Sequence, residues 1–286
     1  MAPRQKIAAL LRATIWLPGL KAIFYHPAIR AALQRRPGFH LLYGAGWDLQ
    51  HPFDFEHGTD TSGFVASQNL PSSLVDTVRK HVYGGSQPSI IRTALAELPP
   101  LENFTFVDLG CGKGRPLLVA SEFPFRSLVG VELSAPLAAD ARKNAAILRQ
   151  KFPARPAIQI ETGDASAFPL PTGNLVVFLY NPFGAEVVAK VVTGMEAALA
   201  AEKRSLFVVY YNPVHGACFD ASPALTRFFA ATIPYAEEER GFGPDTEDPV
   251  VIWQTGNSAP ARPGADARIV VTSPGTRIQL EGQPPA

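Results

Sequence analysis

Two carboxylates on either side of a glycine loop carry most of the chemistry legible in this chain. Asp108 ends the apolar run Phe104-Thr105-Phe106-Val107, the loop Gly110-Cys111-Gly112-Lys113-Gly114 follows, and Glu132 ends a second run, Leu128-Val129-Gly130-Val131. Glycines in such a loop accept positive φ and let a ligand approach bare backbone. The loop opens an apolar helix pattern, Leu117-Leu118-Val119-Ala120, with Pro116 in a first turn that needs no N–H from it. A helix N-terminus favours an anionic group. Asp108 just before the loop would repel phosphate, and it suits a ligand carrying an ammonium and a carboxylate together. Glu132 stands where an acid accepts hydrogen bonds from ribose hydroxyls. The loop reads G-x-G-x-G, with Arg115 in the place of the last glycine of a dinucleotide fingerprint, which disfavours an NAD-dependent oxidoreductase. A tight turn in an unrelated α/β domain explains the glycines without explaining the paired acids.

These groups need strands to bring them to one edge. The predicted order is a strand over 104–108, a helix over 115–122, a strand over 128–132, and a helix over 135–150 capped by Ser134 with Pro136 in its first turn. Strands follow at 157–161, 175–180 and 206–211, the last two continuously apolar, with a helix over 184–201 between them. A short helix near 222–230 then leads to a final strand at 250–253. Serial βα units predict a doubly wound, mostly parallel sheet with helices on both faces. Ligands in such sheets lie outside the carboxyl ends of the strands. The tips here supply Asp108, Glu132, Asp164, Asn181 and Asn212, with Tyr180, Tyr211 and His215 close by as candidate proton acceptors.

D-L-G-C-G-K-G at 108–114 followed by V-G-V-E-L-S at 129–134 resembles the class I, seven-strand S-adenosylmethionine (SAM)-dependent methyltransferases. The D-L-G-x-G-x-G form also resembles the non-SET histone-lysine methyltransferases. The resemblance covers about residues 85–255 and implies a Rossmann-like methyltransferase fold with the last strand inserted antiparallel. It implies a cofactor site of Asp108, Gly110, Cys111, Gly112, Gly114, Glu132, Asp164 and Asn181, with the loop on the methionine part, Glu132 on the ribose and Asp164 near adenine. Asn181-Pro182-Phe183 resembles the Asn/Asp-Pro-Pro-aromatic motif of N-methyltransferases, with one proline missing. The implied activity is methyl transfer by these three residues to an acceptor, favouring nitrogen, on a small molecule or a protein. A non-catalytic SAM-binding protein is the other reading.

Three regions emerge: an N-terminal helical and loop extension over 1–84, the core over 85–255, and a Pro/Gly-rich tail over 256–286 with an add-on hairpin near 268–280. Residues 48–66 read as a lid, aromatic at Phe53 and Phe55 and ending in the glycine-flanked run Asp60-Thr61-Ser62. Asp60 and Thr61 there, with Tyr211 and Asn212, are the candidate substrate residues. A net charge of +1 leaves no electrostatic footprint for nucleic acid. Cys111 and Cys218 exclude a disulfide framework, and with His40, His51 and His57 they show no metal-ligand spacing, so no metal is expected. No apolar run reaches the length of a membrane span, although residues 1–35, basic and apolar, could lie on a membrane surface. The cytoplasm is the expected compartment; oligomeric state is not legible.

Overall fold

A computed structural model of the protein describes residues 50–63, 85–180, 183–243, 245–256, 258–273 and 276–281. Its elements are α1 (Pro52–His57), α2 (Pro88–Ala96), β1 (Phe104–Leu109), α3 (Arg115–Ala120), β2 (Ser127–Glu132), α4 (Ala135–Lys151), β3 (Ile158–Thr162) and β4 (Asn174–Tyr180). α5 (Ala185–Ala201), β5 (Leu206–Tyr211), α6 (Ala217–Asp220), β6 (Leu225–Pro234), β7 (Glu247–Thr255), β8 (Ile269–Ser273) and β9 (Thr276–Leu280) complete them.

β1 to β7 form one sheet in the order β3-β2-β1-β4-β5-β7-β6. Neighbours from β3 to β5 are parallel, and β7 is inserted antiparallel between β5 and β6. This is the doubly wound, mostly parallel seven-strand sheet expected from the sequence. β1 and β5 are buried along their whole length, as strands covered on both faces must be. On one face Phe106, Phe178, Phe207 and Ile252 meet Ile90, Leu95 and Leu117 from α2 and α3. On the other, Val107, Val177, Val208 and Trp253 meet α5. α5 buries Val188, Val191, Val192 and Met195, an i, i+3, i+4, i+7 stripe that only a helix turns to one side. Full burial of each such side chain contributes about 1.5–3 kcal/mol.

Two local expectations are corrected. The segment expected as a helix near 222–230 is the start of β6, and only the four residues of α6 before it are helical. Its run Leu-Thr-Arg-Phe-Phe-Ala-Ala-Thr-Ile is rich in β-branched and aromatic residues, and nine register pairs with β7, running from Leu225↔Thr255 to Pro234↔Glu247, decide its conformation. Ser134 stands at the N-cap of α4, yet its side chain makes no capping hydrogen bond. The hairpin expected near 268–280 is present as β8 and β9, and it is packed rather than loose: Ile269, Val271 and Leu280 are buried in the same cluster as Trp253 and Phe219. Among the described residues no helix is long and apolar enough to cross a membrane. Residues 1–49 and 64–84, including the basic and apolar segment over 1–35 considered above for a membrane surface, lie outside the described residues.

Candidate functional site

The glycine loop crosses from β1 to α3 beneath the end of β2. The amides of Gly110 and Cys111 both donate to the Val131 carbonyl, at 2.8 and 3.0 Å. Gly110, Gly112 and Gly114 have φ of 82°, 54° and 87°, so a side chain at any of them would be strained. Cys111 turns the other way. Its thiol is buried against β2, where a Cβ on Gly130 would stand 2.8 Å from the sulfur, and burial pushes its pKa well up. A ligand in the loop would therefore meet the backbone of Cys111 and not its sulfur.

The two carboxylates are placed differently. Glu132 accepts from the Gly112 amide through one oxygen and from the Ser134 amide through the other, each at 2.8 Å. Burial raises its pKa against the opposing pull of these donors. Asp108 is 1% exposed, and its Oδ2 has no hydrogen-bond partner. Burial pushes its carboxyl well above the ordinary aspartate value, and the Glu132 charge pushes the same way. The site thus holds two neighbouring acids and one unsatisfied buried oxygen.

Residues 50–63 are fastened to the outer side of this loop. Asp54, fully buried, accepts from Thr59 Oγ1 at 2.7 Å, from the Thr61 amide and hydroxyl at 2.9 and 2.6 Å, and from Ser62 Oγ at 2.5 Å. Arg115, the residue in place of the last dinucleotide glycine, sends its guanidinium into the same cluster. It donates to Thr61 Oγ1 at 2.7 Å, to the Ser86 carbonyl at 3.0 Å and to Ser62 Oγ at 3.1 Å, and stands 3.5 Å from Asp54. Burial would raise the Asp54 pKa; the Arg115 charge and the hydroxyl donors outweigh it and hold the carboxyl below its usual value. Gly85 is required for this arrangement, because a Cβ there would lie 2.3 Å from the guanidinium. Lys113 of the loop adds bonds to Asp60 Oδ1 at 3.0 Å and to the Ser62 carbonyl at 2.7 Å. Asn144 of α4 clamps both backbone groups of Asp60. Thr61 is therefore occupied on both sides of its hydroxyl, and Asp60 is an exposed partner of Lys113.

The remaining expected residues that the structure describes are spread along the carboxyl edge. Asp164 is exposed and accepts from the Ser166 amide at 2.8 Å, closing an Asx turn. Asn181 and Pro182 lie outside the described residues; Phe183 is half-buried against the cluster that contains α5. Asn212 has φ of 51°, and among the described residues no other non-glycine is positive. Tyr211 is fully buried, and its hydroxyl donates to Asp248 Oδ2 at 2.7 Å. Burial lowers the His215 pKa. Sequence reasoning missed Asp54, Arg115, Asn144, Tyr235 and Asp248. A cavity of about 390 Å³ lined by Arg142, Leu148, Phe152 and Ile158 lies between α4 and β3, at the far end from the glycine loop. No group of three or more His, Cys, Asp or Glu among the described residues is placed to hold a metal ion.

No protein-family model and no curated protein sequence matches the chain. Among solved structures it is similar to a putative methyltransferase complexed with SAH, at 13% identity over 59% of this chain and 52% of that one, with a TM-score of 0.41. The match thus spans about half the length of that protein. It is also similar to the glycopeptide N-methyltransferase MtfA complexed with SAM, at 13% identity over 59% of this chain and 94% of that one, with a TM-score of 0.43. A third is the magnesium protoporphyrin IX methyltransferase of Synechocystis PCC 6803 with bound SAM, at 10% identity over 59% of this chain and 77% of that one, with a TM-score of 0.42.

Proposed function

We propose that this protein is a SAM-dependent methyltransferase that delivers the methyl group to a nitrogen of a small molecule or protein. The carrying observation is Asp108. A carboxylate on a residue 1% exposed, with one buried oxygen without a partner, beside a loop of positive-φ glycines, is a poor structural element and a good counter-charge for a buried ammonium. The amino acid end of SAM supplies such an ammonium next to a carboxylate. The residues present fit the cofactor: Asp108 would hold its amino group, the loop backbone its methionine part, Glu132 its ribose hydroxyls, and the Gly163-Asp164 turn would border the adenine. Bound there, SAM supplies an electrophilic methyl group on a sulfonium. The chain has then to hold the acceptor in line, exclude water and dispose of one proton. Asn181, Pro182 and Phe183, which resemble an N-methyltransferase motif, are the proposed acceptor-positioning residues. Two free cysteines and no disulfide fit a cytoplasmic protein.

Calorimetry with SAM, S-adenosylhomocysteine and NAD tests the reading. Binding of the first two is expected; binding of NAD alone would assign an oxidoreductase. Labelled SAM and a cell extract then test transfer. Cofactor binding with no labelled product would leave a SAM-binding protein without catalysis.

A further inference from the structure

Further along the same edge, β4 to β7 bring four side chains into one line. Tyr180 and Tyr211 are register partners on β4 and β5, with ring centroids 4.2 Å apart, and burial raises the Tyr180 pKa while the Tyr211 hydroxyl pulls it down. Tyr211 donates to Asp248 Oδ2 at 2.7 Å, and Tyr235, just past β6, donates to the same oxygen. The inner members are closed to solvent: Tyr211 is 0% exposed, Tyr235 3% and Asp248 7%. Tyr180 is half-buried at the strand tip, two residues beyond Phe178, which is the register partner of Asp108. The line therefore starts beside the proposed cofactor site and ends on a carboxylate in the interior. The antiparallel insertion of β7 makes this possible, because it brings the first residues of that strand to the carboxyl edge of the others.

We propose that Tyr180, Tyr211 and Asp248 form the proton path of the acceptor site, and that the acceptor is a primary alkylammonium. The proposal rests on the methyltransferase reading. Tyrosine faces and a carboxylate attract a cation, and an ammonium has no lone pair for methyl transfer until it loses a proton. The ammonium gives that proton to Tyr180 Oη, the Tyr180 proton passes to Tyr211 Oη, and the Tyr211 proton passes to Asp248, which becomes neutral. The freed nitrogen pair forms the N–C bond, the S–C bond breaks with its electrons to sulfur, and a methylated ammonium leaves. Asp248 acts through the two tyrosines and does not itself touch the acceptor.

The groups around Asp248 set its proton affinity. Burial raises it; the Tyr235 and Tyr211 hydroxyls lower it; Asp245 and Glu247 on the approach to β7 raise it again, to about 6. Burial and the Asp248 charge raise Tyr180, with Arg115 of α3 pulling the other way. The path is thus ionised at its inner end at neutral pH and neutralised in mild acid.

The probe is n-butylammonium, titrated into the full-length protein saturated with S-adenosylhomocysteine, from about pH 5 to about pH 8. It should bind, 1-butanol should not, and its affinity should fall towards about tenfold per pH unit below about pH 6 as Asp248 takes a proton. Asp248→Asn should weaken it about tenfold or more and abolish the pH dependence, with S-adenosylhomocysteine affinity kept within roughly twofold. Tyr180→Phe, which cuts the path, should flatten the pH dependence in the same way. If butylammonium binds no better than butanol, or shows no loss in acid, the proposal is overturned, and these arms need only the wild-type protein. Retained affinity and pH dependence in a folded Asp248→Asn variant overturns it too. Failure of S-adenosylhomocysteine to bind overturns the methyltransferase reading first, and this proposal with it.

Discussion

Asp54 and Asp108 are equally hidden from water and oppositely furnished. Asp54 has four hydrogen bonds from residues 59–62 and a guanidinium beside it, and its pKa is lowered. Asp108 has an orphaned oxygen and another acid nearby, and its pKa is raised. A buried charge with its donors in place is a structural joint. A buried acid without them is maintained against stability, and that cost persists only where a ligand relieves it. The difference separates what holds the glycine loop in place from what the loop is for.

Removing the joint should have the largest effect. Arg115→Met leaves Asp54 charged and uncompensated and should destabilise the fold by about 3–5 kcal/mol in urea unfolding. Adding Asp54→Asn should recover part of the loss; simple additivity of the two would show that they do not act as a unit. Asp108→Asn should do the reverse. SAM affinity should drop about tenfold or more, by the loss of a charge-assisted bond, while the unliganded protein becomes more thermostable at neutral pH. The sign follows from the raised pKa: the stability tied to protonated Asp108 is full below the unfolded value near 3.8 and is lost as pH rises through the folded value. The advantage of Asn should therefore grow upward from about pH 4 and vanish below it, which melting curves across pH will read.

Smaller changes sharpen the contrast. Glu132→Ala should weaken SAM by roughly 1.5–3 kcal/mol, about tenfold or more, in isothermal titration, and should loosen the loop through the bond to Gly112. Lys113→Met removes a pair whose acid is 78% exposed, so its effect on stability should stay below about 1 kcal/mol. A larger loss would move Lys113 into the same joint as Arg115.

The legible parts of the molecule are the local ones. Asp108, the loop and Glu132 lie on one β-loop-α-β unit, whose periodicity and punctuation are written within thirty residues of chain. The partnership of Arg115 with Asp54 joins segments 61 residues apart, and no spacing rule announces it; the departure from the dinucleotide pattern at Arg115 was its one trace. Asp60 and Thr61 were read as candidate substrate residues, and their partners here are Lys113, and Asp54 with Arg115; hydroxyls and acids between glycines look alike in a sequence whether they meet a ligand or such partners. β6 was misread because its pattern fits two periods and pairing with β7 resolves them. Asp248 was invisible for a related reason: an acid at the start of a strand reads as a turn residue until the strand is known to run antiparallel.

That inserted strand also dictates an order of assembly. β6 has β7 as its neighbour in the sheet, and β7 follows it in the chain. As the polypeptide leaves the ribosome, β1 to β5 can pair among themselves, while β6 emerges with Phe228 and Ile233 exposed and no partner to accept them. A nascent chain with β6 clear of the ribosome and β7 still inside it carries open strand edges on β5 and β6, at the moment when a second nascent chain is the nearest substitute. The interval between the emergence of β6 and that of β7 is therefore an aggregation-prone one, and a pause there would be a costly place to pause.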